Sequence, residues 1–223
     1  MWHLYQFPLC PFSRKLRLVL SEKGVAYELL RANPWDAGDA CHALNPAGRT
    51  PVLQDDERKL VLLDSRAICE YFEETVERSP LIVGNAAARA EIRRLVALFD
   101  ESFFHDVTEP LMNEKMKKRL VLRSPPDSGM LRQAMRLAHE HLDYIDWLID
   151  HHRWLAGAQL SLADFAAAAQ ISVADYLGGI DWTGHEAAHG WYRVVKSRPS
   201  FRSLLTDKMD GIAPPRDYAD VNA

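Results

Sequence analysis

Four consecutive residues near the start of the chain, Cys10-Pro11-Phe12-Ser13, follow a strand-like run and open a helical one. A cysteine at such a junction has its sulfur close to free backbone N–H groups and to the positive end of the helix dipole, with Arg14 and Lys15 just behind it. Those surroundings stabilise a thiolate. Read this way, Cys10 attacks electrophiles or exchanges with disulfides, and Ser13, standing where a two-thiol motif has its resolving cysteine, makes this a one-thiol site. The same Cys10 also reads as a small buried residue packing as a hydrocarbon. Trp35 lies in the irregular, polar segment Arg31 to Asp39, where a large aromatic is either an anchor for a partner or a lid over its own core. Leu111, Met112, Glu114, Lys115 and Lys118 offer a mixed apolar and charged contact surface, or else an ordinary solvated helix face with Leu111 and Met112 turned inward. Asp217, Tyr218 and Asp220 form an acidic-aromatic tail that reads as a docking element or as a frayed terminus.

The elements that position these residues change character along the chain. Up to about residue 76 the grammar is α/β: a strand from Trp2 to Gln6, a helix from Phe12 to Lys23 with Pro11 in its first turn and Gly24 past its end, and a strand from Tyr27 to Leu30. Two short strands, Pro51 to Leu53 and Leu60 to Leu63, are joined by the turn Gln54-Asp55-Asp56-Glu57, and a helix runs from Ser65 to Thr75. Residues 77 to 87 hold Pro80 and Gly84 without a sustained period and read as a linker. Residues 88 to 210 read as an all-helical domain and 211 to 223 as a tail. Ile92, Leu95, Val96, Phe99 and Phe103 share one helix face, as do Leu131, Met135, Ala138, Leu142, Ile145 and Leu148. Ser124 to Gly129 reads as a loop. Ser161 and Asp164 have the spacing of a capping box ahead of a buried, alanine-rich helix.

Composition narrows the function classes. The 223 residues carry a formal net charge of −4, and the first 78 hold 10 basic and 12 acidic side chains, so neither part has the cationic excess that a phosphate backbone requires. Nucleic acid is not an expected partner. No 18-residue uncharged apolar stretch or signal-like N-terminus is present, which predicts a cytoplasmic protein without membrane insertion. Cys10, Cys41 and Cys69 are too few and too scattered for a disulfide framework or a four-thiolate zinc site. His139/His141 and His151/His152 lack a carboxylate or cysteine set at a recognised spacing, so no metal is assigned.

The ordered set of a strand–Cys–helix opening, Asn45-Pro46-Ala47-Gly48-Arg49-Thr50-Pro51-Val52-Leu53, Asp64-Ser65 and the late capping box resembles the glutathione transferase superfamily over almost the whole chain. The resemblance implies a thioredoxin-like βαβαββα domain followed by an all-helical one, and a homodimer that packs the first domain of one chain on the second domain of the other. It further implies a cis peptide bond before Pro51, a Val52 backbone offered to the cysteinyl part of glutathione, and a γ-glutamyl group held at Asp64 and Ser65. A proline turn and a helix cap explain the same residues without any ligand. Cys10-Pro11-Phe12 is similar to the omega-type opening, whose cysteine forms a mixed disulfide with glutathione, and Ser13 offers a hydroxyl as in the serine-type transferases. Other segments, among them Pro34-Trp35, residues 113 to 119, 172 to 178 and 195 to 202, and Pro214 to Asp220, resemble the alphaproteobacterial transferase-like proteins that bind FtsZ, the tubulin-like division GTPase. That resemblance implies a dimer that bundles or curves FtsZ filaments, requires no cofactor, and meets its partner through Trp35, Leu111, Glu114, Lys115, Lys118 and Asp220.

Overall fold

The computed structural model describes residues 1–221, so the last two residues of the tail lie outside the described part. The chain divides into two compact units, the first ending at Leu81 and the second beginning at Ile82.

The first unit is built on a four-stranded sheet of order β2-β1-β3-β4. Strand β1 (Trp2–Gln6) runs parallel to β2 (Tyr27–Arg31) and antiparallel to β3 (Val52–Asp55), which pairs antiparallel with β4 (Leu60–Leu63). Trp2, Leu4 and Gln6 alternate inward along β1, whereas Val52 and Leu53 are both buried because β3 is an inner strand. Helix α1 (Pro11–Lys23) starts with proline at a position whose N–H would be unpaired in any case. It stops at Gly24, which takes φ 67° and donates its N–H to the carbonyls of Leu20 and Ser21. The last residue of α1, Lys23, is buried and ties the helix to α3 (Ser65–Thr75): its ammonium lies 2.8 Å from the Glu73 carboxylate and donates to the Val76 carbonyl at 3.2 Å. Ile68, Cys69 and Phe72 form the inward face of α3 at helical spacing. A short helix, α2 (Ala40–Leu44), intervenes between β2 and β3; the residue pattern did not single it out, because only Cys41 in it is buried.

The second unit is helical. Its first helix, α4, is continuous over 86–122 and starts at an Asn85 cap whose side chain accepts from Ala88 N–H at 3.0 Å. Through Leu98–Thr108 and again through Asn113–Leu122 its turns widen to bonds reaching five residues back. Ile92, Leu95, Val96, Phe99 and Phe103 are all buried along it, as the period predicts. Helix α5 (Ser128–His151) departs from expectation in two places. Ser128 and Gly129 are its first turn rather than loop, because Asp127 caps it by accepting from the N–H groups of Gly129 and Met130. Met135 is exposed, and Ala134 takes the inward position beside Ala138, Leu142, Ile145 and Leu148.

Helix α6 (Leu162–Tyr176) is buried at every residue but Asp175 and packs against α4 and α7 (Glu186–Lys196), both of which α5 also meets. The 3₁₀ turn Pro199–Phe201 and α8 (Arg202–Leu205) follow. The described part of the tail is anchored. Tyr218 is buried edge-on to Tyr176 with ring centroids 5.1 Å apart, and the Lys196 ammonium sits 5.6 Å over its ring. No described helix is long and apolar enough to cross a membrane.

Candidate functional site

Cys10 is the N-cap residue of α1. The residue is 8% exposed, and its thiol donates to the Thr50 carbonyl at 3.4 Å, across a sequence separation that only the folded sheet closes. Ser13 is fully buried, and its hydroxyl has no hydrogen-bond partner among the described residues. Arg14, one turn past the cap, is also buried and donates from Nε to the Pro8 carbonyl at 2.8 Å, bracing the segment that presents Cys10. The Thr50-Pro51 peptide is cis. Cys41 stands near this site: its sulfur is 4.0 Å from the Arg49 carbonyl, and burial, with smaller repulsion from Asp39 and Cys10, pushes its thiol pKa up.

Asp64 takes a positive φ of 67°, an uncommon conformation for a side-chain-bearing residue, as it caps α3. Its Oδ1 accepts from the N–H groups of Arg66 at 2.8 Å and Ala67 at 3.2 Å. The helix N-terminus that the resemblance assigns to a γ-glutamyl carboxylate thus carries a carboxylate of its own. Asp64 is exposed, Ser65 is buried, and Val52 is wholly buried where β3 begins. A cysteine at a helix start, a cis proline loop and a capped helix with an exposed acid are brought together around one end of the sheet. They supply a sulfur nucleophile and polar groups suited to a thiol peptide such as glutathione.

The residues read as partner contacts are distributed differently. Trp35 is half-buried, its ring edge-on to Phe7 at 5.0 Å between centroids, so it covers part of its own core and leaves part of its surface exposed. Leu111 departs from expectation: it has no exposed surface and packs so closely beneath Gly179 that a Cβ there would lie 2.4 Å from a Leu111 methyl. The helix face that carries Phe103 and Val107 continues into it, and it serves the core. Glu114 is also largely enclosed. It accepts from Lys118 Nζ at 2.7 Å and from Asp127 N–H at 2.5 Å, and the latter bond above all holds its carboxyl below the usual glutamate range. Lys115 donates to the carbonyls of Leu177 at 2.5 Å and Gly178 at 3.3 Å. Asp220 is exposed in a tail turn, donating its N–H to the Asp217 carbonyl at 2.9 Å.

Two features escaped the reading of the residues. Asp143, Asp146 and His185 bring ligand atoms within 4.8 Å of one another, and His139 Nδ1 lies 2.9 Å from His185 Nε2. The first turn of α7 accounts for much of this cluster, because Asp146 accepts from Ala188 N–H at 2.7 Å and faces His185 Nδ1 at 2.7 Å. The second is a cleft of about 540 Å³ lined by Lys115, Arg119 and Arg123 among others. The positions of these three cations were legible; the meeting of Leu177 and Ile212 with them in one cleft was not.

Residues 4–80 match the family model for the N-terminal domain of glutathione S-transferases. Over 221 residues the chain is 43% identical to FtsZ-localized protein A of Caulobacter vibrioides, covering 98% of this chain and 97% of that one. A crystal structure of a glutathione S-transferase from Rhodospirillum rubrum F11 superposes with a TM-score of 0.96 at 47% identity, covering all of both chains. The chain belongs to the glutathione S-transferase family. Within that family the solved structure of FzlA from C. crescentus fits equally well, with a TM-score of 0.96 at 43% identity over 100% of this chain and 99% of that one. The thioredoxin-like first unit and the all-helical second unit are the two parts of the glutathione S-transferase fold.

Proposed function

We propose that this glutathione S-transferase-fold protein is a cell-division factor that binds FtsZ filaments as a homodimer and alters their bundling or curvature. The observation that carries the reading is the 43% identity to FtsZ-localized protein A across nearly the full length of both chains. Two equivalent surfaces in a dimer would let modest single contacts act together, so that one molecule joins two filament subunits. Trp35, partly exposed in an irregular segment, and Asp220, exposed on a tail that Tyr218 anchors, are the contact residues this reading favours; Glu114, Lys115 and Lys118 flank a second surface. Leu111 is set aside because it is buried. The protein would work at the cytoplasmic division site and would need no cofactor. The deciding experiment is co-sedimentation with GTP-polymerised FtsZ, with the pellet imaged for bundles or curved filaments. Dose-dependent pelleting supports the reading, and filaments that leave the protein in the supernatant overturn it.

A second reading, a glutathione-dependent transferase or thiol transferase, is favoured by the placement of Cys10 at the start of α1 beside the cis proline loop. Glutathione is the co-substrate of the family, and Cys10 or Ser13 would act on it with Val52, Asp64 and Ser65 holding it. This reading predicts saturable glutathione binding that weakens in Ser65→Ala and disulfide-exchange turnover that disappears in Cys10→Ala. Absence of binding at millimolar glutathione removes it.

A further inference from the structure

We propose that Asp143, Asp146 and His185, where α5 meets the start of α7, bind a divalent transition-metal ion such as zinc, with His139 orienting the imidazole ligand. His139, Asp143 and Asp146 stand at positions i, i+4 and i+7 of α5, so one stripe of that helix carries all three. His185, the residue before α7, is 4% exposed and faces that stripe. Its Nδ1 lies 2.7 Å from Asp146 Oδ2 and 3.7 Å from Asp143 Oδ1, and the three ligand atoms fall within 4.8 Å of one another. Ligand atoms about 2.1 Å from a tetrahedral zinc stand about 3.4 Å apart, so shifts of no more than about 1.5 Å close the set around a cation. The exposed Asp143 side chain is free to supply most of that movement.

Three observations set this cluster apart from a simple ion pair. Asp146 divides its carboxylate: Oδ1 accepts from Ala188 N–H at 2.7 Å, which fixes the group and leaves Oδ2 directed at His185. His185 Nε2 lies 2.9 Å from His139 Nδ1, the acceptor that a metal-bound imidazole needs for its other N–H. Asp143 brings a second carboxylate beyond the one that already pairs with the imidazole, and among the described residues it makes no hydrogen bond of its own. The hydrogen bonds also admit the change of tautomer that ligation requires. When His185 Nδ1–H donates to Asp146, His139 Nδ1–H donates to His185 Nε2; with a metal on His185 Nδ1, both neutral imidazoles carry the proton on Nε2 and the proton count is unchanged. The positive pole of α7 opposes a cation with about half a charge, which two carboxylates outweigh. An imidazole among carboxylates suits zinc, whereas magnesium prefers oxygen ligands throughout. Three protein ligands leave a fourth position to water.

The test is isothermal titration of the untagged full chain with zinc chloride and, separately, with magnesium chloride. It is run on the parent, on Asp143→Asn and on His139→Ala, each checked for folding by its urea midpoint in EDTA. Asp143 is exposed and caps no helix, so its variant should unfold at the parent's midpoint. The expected result is one equivalent of zinc bound by the parent, an affinity at least about tenfold lower in each variant, and no saturable magnesium binding. The proposal is overturned by absence of saturable zinc binding to the parent, or by magnesium bound as tightly as zinc. Equal zinc affinity in the folded Asp143→Asn protein also overturns it, because the ion would then sit elsewhere, as on a thiol. Unchanged affinity in His139→Ala removes the orienting role assigned to that residue.

Discussion

Asp164 accepts four hydrogen bonds in a wholly buried place: from the N–H groups of Leu155 at 3.0 Å and Ser161 at 2.8 Å, from the Ser161 hydroxyl at 3.0 Å and from the Trp191 indole at 3.0 Å. Burial raises its pKa, and these donors pull the other way. Asp164→Asn turns one acceptor oxygen into an NH₂ that faces donors, which should cost about 3 kcal/mol of stability, measured as a shift in urea midpoint at constant slope. Trp35 makes a contrasting case. Only part of its ring is covered by Phe7, so Trp35→Ala should lower stability by no more than about 1–2 kcal/mol while abolishing most FtsZ co-sedimentation. Equal pelleting of a folded Trp35→Ala protein would remove Trp35 from the contact surface. At Cys10 the residue type pointed to a sulfur at a helix start, and that is where it is; the Thr50 carbonyl that receives its S–H is forty positions away in the chain and had no local signal.

Helix α4 and its neighbours show how one element serves both packing and surface. Leu111 fills the space that Gly179 leaves, so Gly179→Ala should destabilise by about 1–3 kcal/mol through overpacking. Leu111→Val, which lacks the δ methyls that the new Cβ would meet, should recover part of that loss in the double variant; simple additivity in urea unfolding would disprove the contact. Glu114 links α4 to the start of α5 through Lys118 and Asp127 N–H. Because its carboxyl is held below the ordinary value, the stabilisation is complete above about pH 4.3 and fades as the pH falls through the lower, folded value. The urea midpoints of the parent and Glu114→Gln should therefore differ at pH 7 and converge at the acid end of a pH series. The tail is an element in the same sense: Tyr218→Ala removes a buried ring from Tyr176 and Lys196 and should cost roughly 3 kcal/mol.

At the scale of the whole molecule, proximal signals were readable and distal ones were not. Gly24, the Asp64-Ser65 start of α3 and the Ser161/Asp164 box act through hydrogen bonds a few residues long, and Pro11 acts through its own fixed φ and missing N–H, so residue type at a fixed spacing is enough to locate them. Apolar spacing likewise marked α4 and most of α5, since a helix face repeats every three or four residues whatever it packs against. Helix α2 had too short a span for any period, and Met135 was placed inward because its spacing fits as well as that of Ala134. Which of two adjacent residues faces the core depends on the helix it meets. The cleft is the same case at larger distance: Lys115 and Arg119 belong to one helix and Arg123 follows its last residue, but Lys115 reaches carbonyls sixty-two and sixty-three residues away, and Ile212 arrives on the tail. Charge spacing along a helix is a local property and can be counted, whereas a wall exists only once separate segments have folded against one another.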